Sequence, residues 1–127
     1  MQKKVIQTET APQAIGAYSQ AVMAGNTVYI SGQIPLIPET MQVIEGDFAK
    51  QAEQVFTNLK SVAEAANSSL ADAVKLTVYL TDLDNFAELN EIMATCFSEP
   101  FPARAAVQVA ALPKGVSIEI DAILCVK

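Results

Sequence analysis

Val74-Lys75-Leu76-Thr77-Val78-Tyr79-Leu80-Thr81 alternates apolar and polar residues without a break, the period-two signature of a half-buried strand. Before it, Phe48, Ala52, Val55, Phe56, Leu59, Val62, Ala63 and Ala66 recur at three- and four-residue steps. That spacing predicts a helix from about Asp47 to Ala66, with Lys50, Glu53, Lys60 and Glu64 on its wet side. Asp47 suits the N-cap and Asn67 the left-handed position past the C-terminus. Ser69-Leu70-Ala71-Asp72 reads as a one-turn capping box. After the strand, Asp84 is read as the cap of a second helix that runs to about Phe97. It buries Phe86, Leu89, Met93, Cys96 and Phe97 and is ended by Pro100 and Pro102.

Further out, Ala21–Ala24 and Thr27–Ser31 flank Gly25-Asn26, a hairpin about a two-residue turn. Gly32 to Thr40 carries Pro35 and Pro38 and reads as a loop. Ala103–Ala111 and Val116–Val126 are the last strands, and a short leading strand at Val5–Gln7 is an option. Leu112-Pro113-Lys114-Gly115 suits a type I turn. As a hairpin it would set Gln108 opposite Glu119 and leave Arg104 on the order of 13 Å from Glu119 along the strands. The expected class is α+β, a mixed sheet of about six strands with two helices on one face. Ala103–Ala111 is small and apolar on both faces, so the other sheet face lacks a cover within the chain. Copies of the chain in a symmetric oligomer are expected to cover it.

The 127 residues make one domain, 1–127. A net charge of −6 argues against a nucleic-acid partner. No apolar stretch has the length of a signal peptide or a membrane span, so the default location is cytoplasmic, with no membrane partner. Cys96 and Cys125 are too few for a disulfide framework and read as inert, reduced thiols on apolar stripes. The chain has no histidine, which removes the commonest general base and transition-metal ligand. No metal is expected, and proton transfer falls to carboxylates, tyrosine, lysine, main-chain groups or water. A mean hydropathy of +0.28 is high for a small monomer.

Arg104 is the only arginine, set among Phe101-Pro102-Ala103 and Ala105-Ala106-Val107. A guanidinium cannot shed its charge and is costly to bury unpaired. Its partner is either a protein carboxylate (Asp121, Glu119 or one from a neighbouring chain) or a ligand carboxylate held by two parallel hydrogen bonds. Glu119 and Asp121 alternate with Ile118 and Ile120 and therefore share a sheet face. Glu119 also reads as a solvated edge residue, Tyr18 as a packed aromatic, Ser31-Gly32 as a strand end and Asn90 as a solvent-facing helix position. Singly, none of them identifies a function.

Together the segments resemble the Rid/YjgF family of reactive-intermediate (2-iminopropanoate) deaminases. The pieces are Ala14-Ile15-Gly16-Ala17-Tyr18-Ser19-Gln20-Ala21, Tyr29-Ile30-Ser31-Gly32-Gln33-Ile34-Pro35, Val74–Leu80 into Asp82-Leu83-Asp84-Asn85-Phe86, Asn90-Glu91, Phe101–Gly115 and Ile118-Glu119-Ile120-Asp121-Ala122. The resemblance implies a two-layer, chorismate-mutase-like fold and a homotrimer with ligand sites between subunits. It implies that Arg104 clamps a small substrate carboxylate and that Glu119 handles water. Tyr18, Ser31, Gly32, Asn90 and Ala106 would line the pocket, Ala106 through its main chain. Ala17 stands where many members have proline, and Met41 where many have glycine. Ala106 replaces a cysteine of some members, which excludes a thiol role. The implied activity is cofactor-independent hydrolysis of 2-imino and enamino acids, such as 2-aminoacrylate and 2-iminopropanoate, to 2-keto acids and ammonia. The rival is non-catalytic sensing of small 2-keto acids in the same cleft. Chorismate mutase activity would want more cations than one arginine supplies, and ribonuclease activity fits poorly with the charge and the missing histidine.

Overall fold

The computed structural model describes residues 2–127. Its strands are β1 (Lys3–Ile6), β2 (Ala21–Ala24), β3 (Thr27–Gln33), β4 (Leu36–Ile37), β5 (Gln42–Val43), β6 (Ala73–Leu80), β7 (Ala103–Gln108) and β8 (Ile118–Cys125). The helices are α1 (Phe48–Ala65) and α2 (Phe86–Cys96). Six strands form one sheet in the order β1-β2-β3-β8-β6-β7. Every pair is antiparallel except β6–β7, which the α2 crossover makes parallel. The sheet is therefore mixed, as the sequence predicts.

The core lies between the sheet and the helices. Leu76, Val78 and Leu80 of β6 and Ile118, Ile120 and Leu124 of β8 are fully buried, facing Val55, Leu59 and Val62 of α1. Phe56 and Phe97 meet edge to face at 5.8 Å. Asp47 caps α1 by accepting from the Lys50 N–H at 3.1 Å, and Asn67 takes the left-handed φ of 57° beyond its end. Ser69 caps the single turn Leu70–Asp72. Gly25 supplies the positive φ of 61° in the β2–β3 turn. No helix of the described residues is long and apolar enough to cross a membrane.

Several expectations are corrected. β7 and β8 do not form a hairpin, because β6 lies between them. The strands with the larger buried side chains take the interior of the sheet, and Ala-rich β7 takes an edge. The link from β7 to β8 steps over the end of β6, where Val109 N–H donates to the Leu80 carbonyl at 2.8 Å and Thr81 N–H to the Ser117 carbonyl at 3.2 Å. Its Pro113–Gly115 turn holds Lys114 at φ 58°, a left-handed value that a type I turn does not contain. A register shift between Ala73 and Lys75 turns Val74 outward, and Ala73 is buried in its place. Asp82, not Asp84, caps the turn leading into α2, accepting from the Asp84 N–H at 2.9 Å. The Gly32–Thr40 segment is not all loop: β3 runs on to Gln33, and β4 pairs with β5 in a two-stranded hairpin. The leading strand begins two residues earlier than expected. Cys125 is exposed, not core.

Candidate functional site

Strand register decides what the two principal charges can do within one chain. Arg104 pairs with Leu76 and Ala106 with Val78, and paired residues share a sheet face. Leu76 and Val78 are fully buried beneath the helices, so Arg104 and Ala106 lie on the helix side. Tyr79 opposes both Val107 and Glu119. Glu119 alternates with buried Ile118 and Ile120 and lies on the open side. The Cα atoms of Arg104 and Glu119 are on the order of 14 Å apart at ordinary strand rise and spacing, and their side chains leave opposite faces.

On the helix side, Arg104 Nη1 donates to Asn90 Oδ1 at 2.5 Å and lies 3.5 Å from Met93 Sδ. Its guanidinium carbon sits 4.8 Å from the centre of the Phe86 ring. All three partners are neutral. The group is oriented but its charge is not answered by them, and it opens onto a cleft of about 410 Å³ lined by Asn90, Met93, Ala94, Phe101, Pro102 and Arg104. Asn90, read as solvent-facing, is exposed and still engaged. Phe86 and Met93, expected only as core, also form the seat of Arg104.

On the open side, Glu119 lies over Gly32. A Cβ at Gly32 would overlap the Glu119 carboxylate, with its carbon 3.0 Å away. Only glycine leaves room for the carboxylate here, and no special φ is involved. Burial foremost, and then the Asp121 carboxylate, push the Glu119 carboxyl above its ordinary 4.5. Asp121 Oδ2 accepts from the Tyr79 hydroxyl at 3.0 Å. Burial first, then that bond, raise the phenol above 10.0. The backbone irregularity between Ile30 and Gln33 brings Ser31 against the preceding loop. Ser31 Oγ donates to the Ser19 carbonyl at 2.6 Å, and its N–H donates to the Gln20 carbonyl at 2.9 Å. Tyr18 beside them is 55% exposed. Gln20 is buried and fastens the loop through the Thr8 N–H and the Thr8, Ala11 and Pro12 carbonyls.

The structure thus brings Arg104 together with Asn90 beside Ala106, and Glu119 together with Gly32, Ser31 and the Tyr18 loop. It does not join these two groups in one chain. Among the described residues no cluster of three or more His, Cys, Asp or Glu is placed to hold a metal ion.

Residues 8–126 match the family model described as endoribonuclease L-PSP. A RutC family protein of Pyrococcus horikoshii is 53% identical over 121 residues, 95% of this chain and 96% of that one. The rat 2-iminobutanoate/2-iminopropanoate deaminase is 50% identical over 121 residues, 95% of this chain and 88% of that one. The crystal structure of RidA from the Antarctic bacterium Psychrobacter sp. superposes with a TM-score of 0.94 at 61% identity, covering 97% of this chain and 99% of that one. With a family match over nearly the whole chain and relatives of this closeness, the chain belongs to the endoribonuclease L-PSP family, the Rid/YjgF proteins.

Proposed function

We propose that the protein hydrolyses small 2-imino acids, formed from enamines such as 2-aminoacrylate, to 2-keto acids and ammonia. The reading includes a homotrimer and a cytoplasmic location. The observation that carries it is Arg104, exposed and held only by neutral groups at the mouth of a cleft. A guanidinium in that setting suits a ligand carboxylate and two parallel hydrogen bonds. The deaminase name of the rat relative supports the reaction class. RNA cleavage is not proposed, because a net charge of −6 repels a polyanion.

The working site is composed from two copies. Arg104 and Asn90, with the main chain of Ala106, form one wall. Glu119, Gly32, Ser31 and Tyr18 of the partner subunit form the other. The open sheet face supports the assembly, since Tyr29 and Val107 stand on it 48% and 45% exposed. Arg104 holds the carboxylate and presents the C=N carbon in one orientation. Glu119 of the partner subunit takes a proton from a water molecule as the oxygen adds to that carbon. The tetrahedral adduct then breaks its C–N bond. The Glu119 carboxyl of the partner subunit returns the water proton to the nitrogen, the adduct's hydroxyl proton follows it through the regenerated carboxylate, and ammonia leaves as the C=O of the keto acid forms. Main-chain groups at Gly32 and Ala106 stabilise the charge that develops. Water is the only co-reactant, and no cofactor is needed.

The test couples the purified protein to a pyridoxal-phosphate-dependent serine or threonine dehydratase and follows imine decay against keto-acid release. Faster decay in its presence is expected. Calorimetric binding of 2-ketobutyrate without any acceleration would overturn hydrolysis in favour of sensing.

A further inference from the structure

We infer that Gln51 and Asn58, on the core-facing side of α1, are positioning residues that hold Gly32 and Glu119 in register. The inference rests on the hydrolytic reading for its kinetic consequence and on the hydrogen bonds alone for its structural one. Glu119 stands on the far face of the sheet from α1, packed over Gly32. The main chain on either side of the pair is nevertheless tied to this helix. Ser117, two residues before Glu119, donates its N–H to Gln51 Oε1 at 2.8 Å. Ile34 and Leu36, which follow Gly32, offer carbonyls to Asn58 Nδ2 at 3.3 and 3.0 Å. Gln54 Nε2 donates to Asn58 Oδ1 at 2.9 Å and fixes the amide's direction.

Asn58 is fully buried in a helix whose other buried residues are Ala, Val, Leu and Phe. Burying an amide is unfavourable unless its hydrogen bonds are made, and a leucine would fill the same space. What the amide supplies is a donor to the carbonyls of Ile34, just past the end of β3, and of Leu36, at the start of β4, beyond the irregularity between Ile30 and Gln33. Without it the Leu36 carbonyl would lose its side-chain donor and the Ile34 carbonyl would keep only the Leu36 N–H at 2.7 Å, so the segment after Gly32 would be freer to move. Movement there alters the gap between Gly32 and the Glu119 carboxylate, which is already too close to admit a Cβ. Gln51 limits the same gap from the β8 side.

Gln51→Leu is the primary test, because Gln51 is only half-buried and its loss leaves the core filled. It removes the acceptor for Ser117 N–H, whereas Gln51→Glu keeps one. With the coupled imine assay, Gln51→Leu is expected to lower kcat about tenfold while KM, set at Arg104, changes less than about twofold. Gln51→Glu is expected to restore most of kcat. The readout independent of turnover is a carbon-13 NMR titration of the Glu119 carboxyl, whose midpoint is expected to fall toward 4.5 in Gln51→Leu as the carboxyl loosens into water. Asn58→Leu is expected to give the same split and the same fall, with thermal unfolding recorded alongside. An unchanged Glu119 midpoint in both leucine variants would overturn the inference whatever the activity. So would equal losses in Gln51→Leu and Gln51→Glu. A shifted midpoint with no catalysis by the wild type would leave the positioning standing and remove the hydrolytic reading instead.

Discussion

Glu119 carries a conflict that can be measured. Its carboxyl is raised above 4.5 by burial and by Asp121, so the fold favours the protonated form. The native state binds more protons than the unfolded chain between 4.5 and the raised value, and stability from this site falls as pH rises through that window. Above it the penalty is complete, and below 4.5 it is absent. Glu119→Gln is therefore expected to raise the unfolding temperature at pH 7 and leave it nearly unchanged at pH 4 by scanning calorimetry, while slowing imine hydrolysis. The acid limb of the wild-type rate profile should lie above the ordinary carboxylate range and vanish in this variant. Gly32→Ala tests the same contact from the other side. The obstruction is the end of a flexible side chain, so the fold should survive, and kcat should fall as the carboxylate is displaced. Arg104→Ala is expected to lower kcat/KM by about two orders of magnitude, with circular dichroism unchanged because its partners Asn90, Met93 and Phe86 are neutral and keep their places.

At the level of elements, the helical periodicities and the caps of α1 were legible, while the cap before α2 and the strand order were not. α1 follows from an apolar stripe that needs no knowledge of its neighbours, bounded by Asp47 and Asn67. Asp47→Ala should destabilise the protein by about 1 kcal/mol, the usual loss for an unsatisfied N-cap, read from chemical denaturation at pH 7. The β7–β8 hairpin failed because a turn signal reports that the chain reverses, not what lies between the arms. Leu112–Gly115 reverses the chain around the end of β6, and only competition among strands for the buried interior seats decides that β6 enters. Arg104 and Glu119 could be singled out from residue type, since a lone guanidinium and alternating carboxylates are local patterns. The faces they occupy could not, because each depends on its pairing with β6. Asn58 did leave a local sign: a polar side chain one position before Leu59, inside the stripe of Val55, Leu59 and Val62. The carbonyls it serves belong to Ile34 and Leu36, 24 and 22 residues away, and no spacing rule reaches them.

For the whole molecule, the opposite faces of Arg104 and Glu119 make assembly and catalysis one question. The proposed trimer would have three equivalent head-to-tail interfaces, each giving the Arg104 wall from one copy and the Glu119 wall from the next. Val107→Glu would replace an exposed apolar side chain of the open face with a charge. It should yield a folded monomer by sedimentation velocity, with an intact circular dichroism spectrum and without imine hydrolysis. The sharper test mixes two impaired variants. Arg104→Ala spoils one wall and Glu119→Gln the other. In trimers formed at random from an equal mixture, by co-expression or by joint refolding, each interface draws its two walls independently. About one quarter of the sites then receive an intact Arg104 and an intact Glu119 from different copies. Activity near that fraction of the wild type is expected from the mixture, well above the residual rate of either variant alone. A site built within one chain would give only the residual rates at any mixing ratio, because every subunit would carry one broken wall.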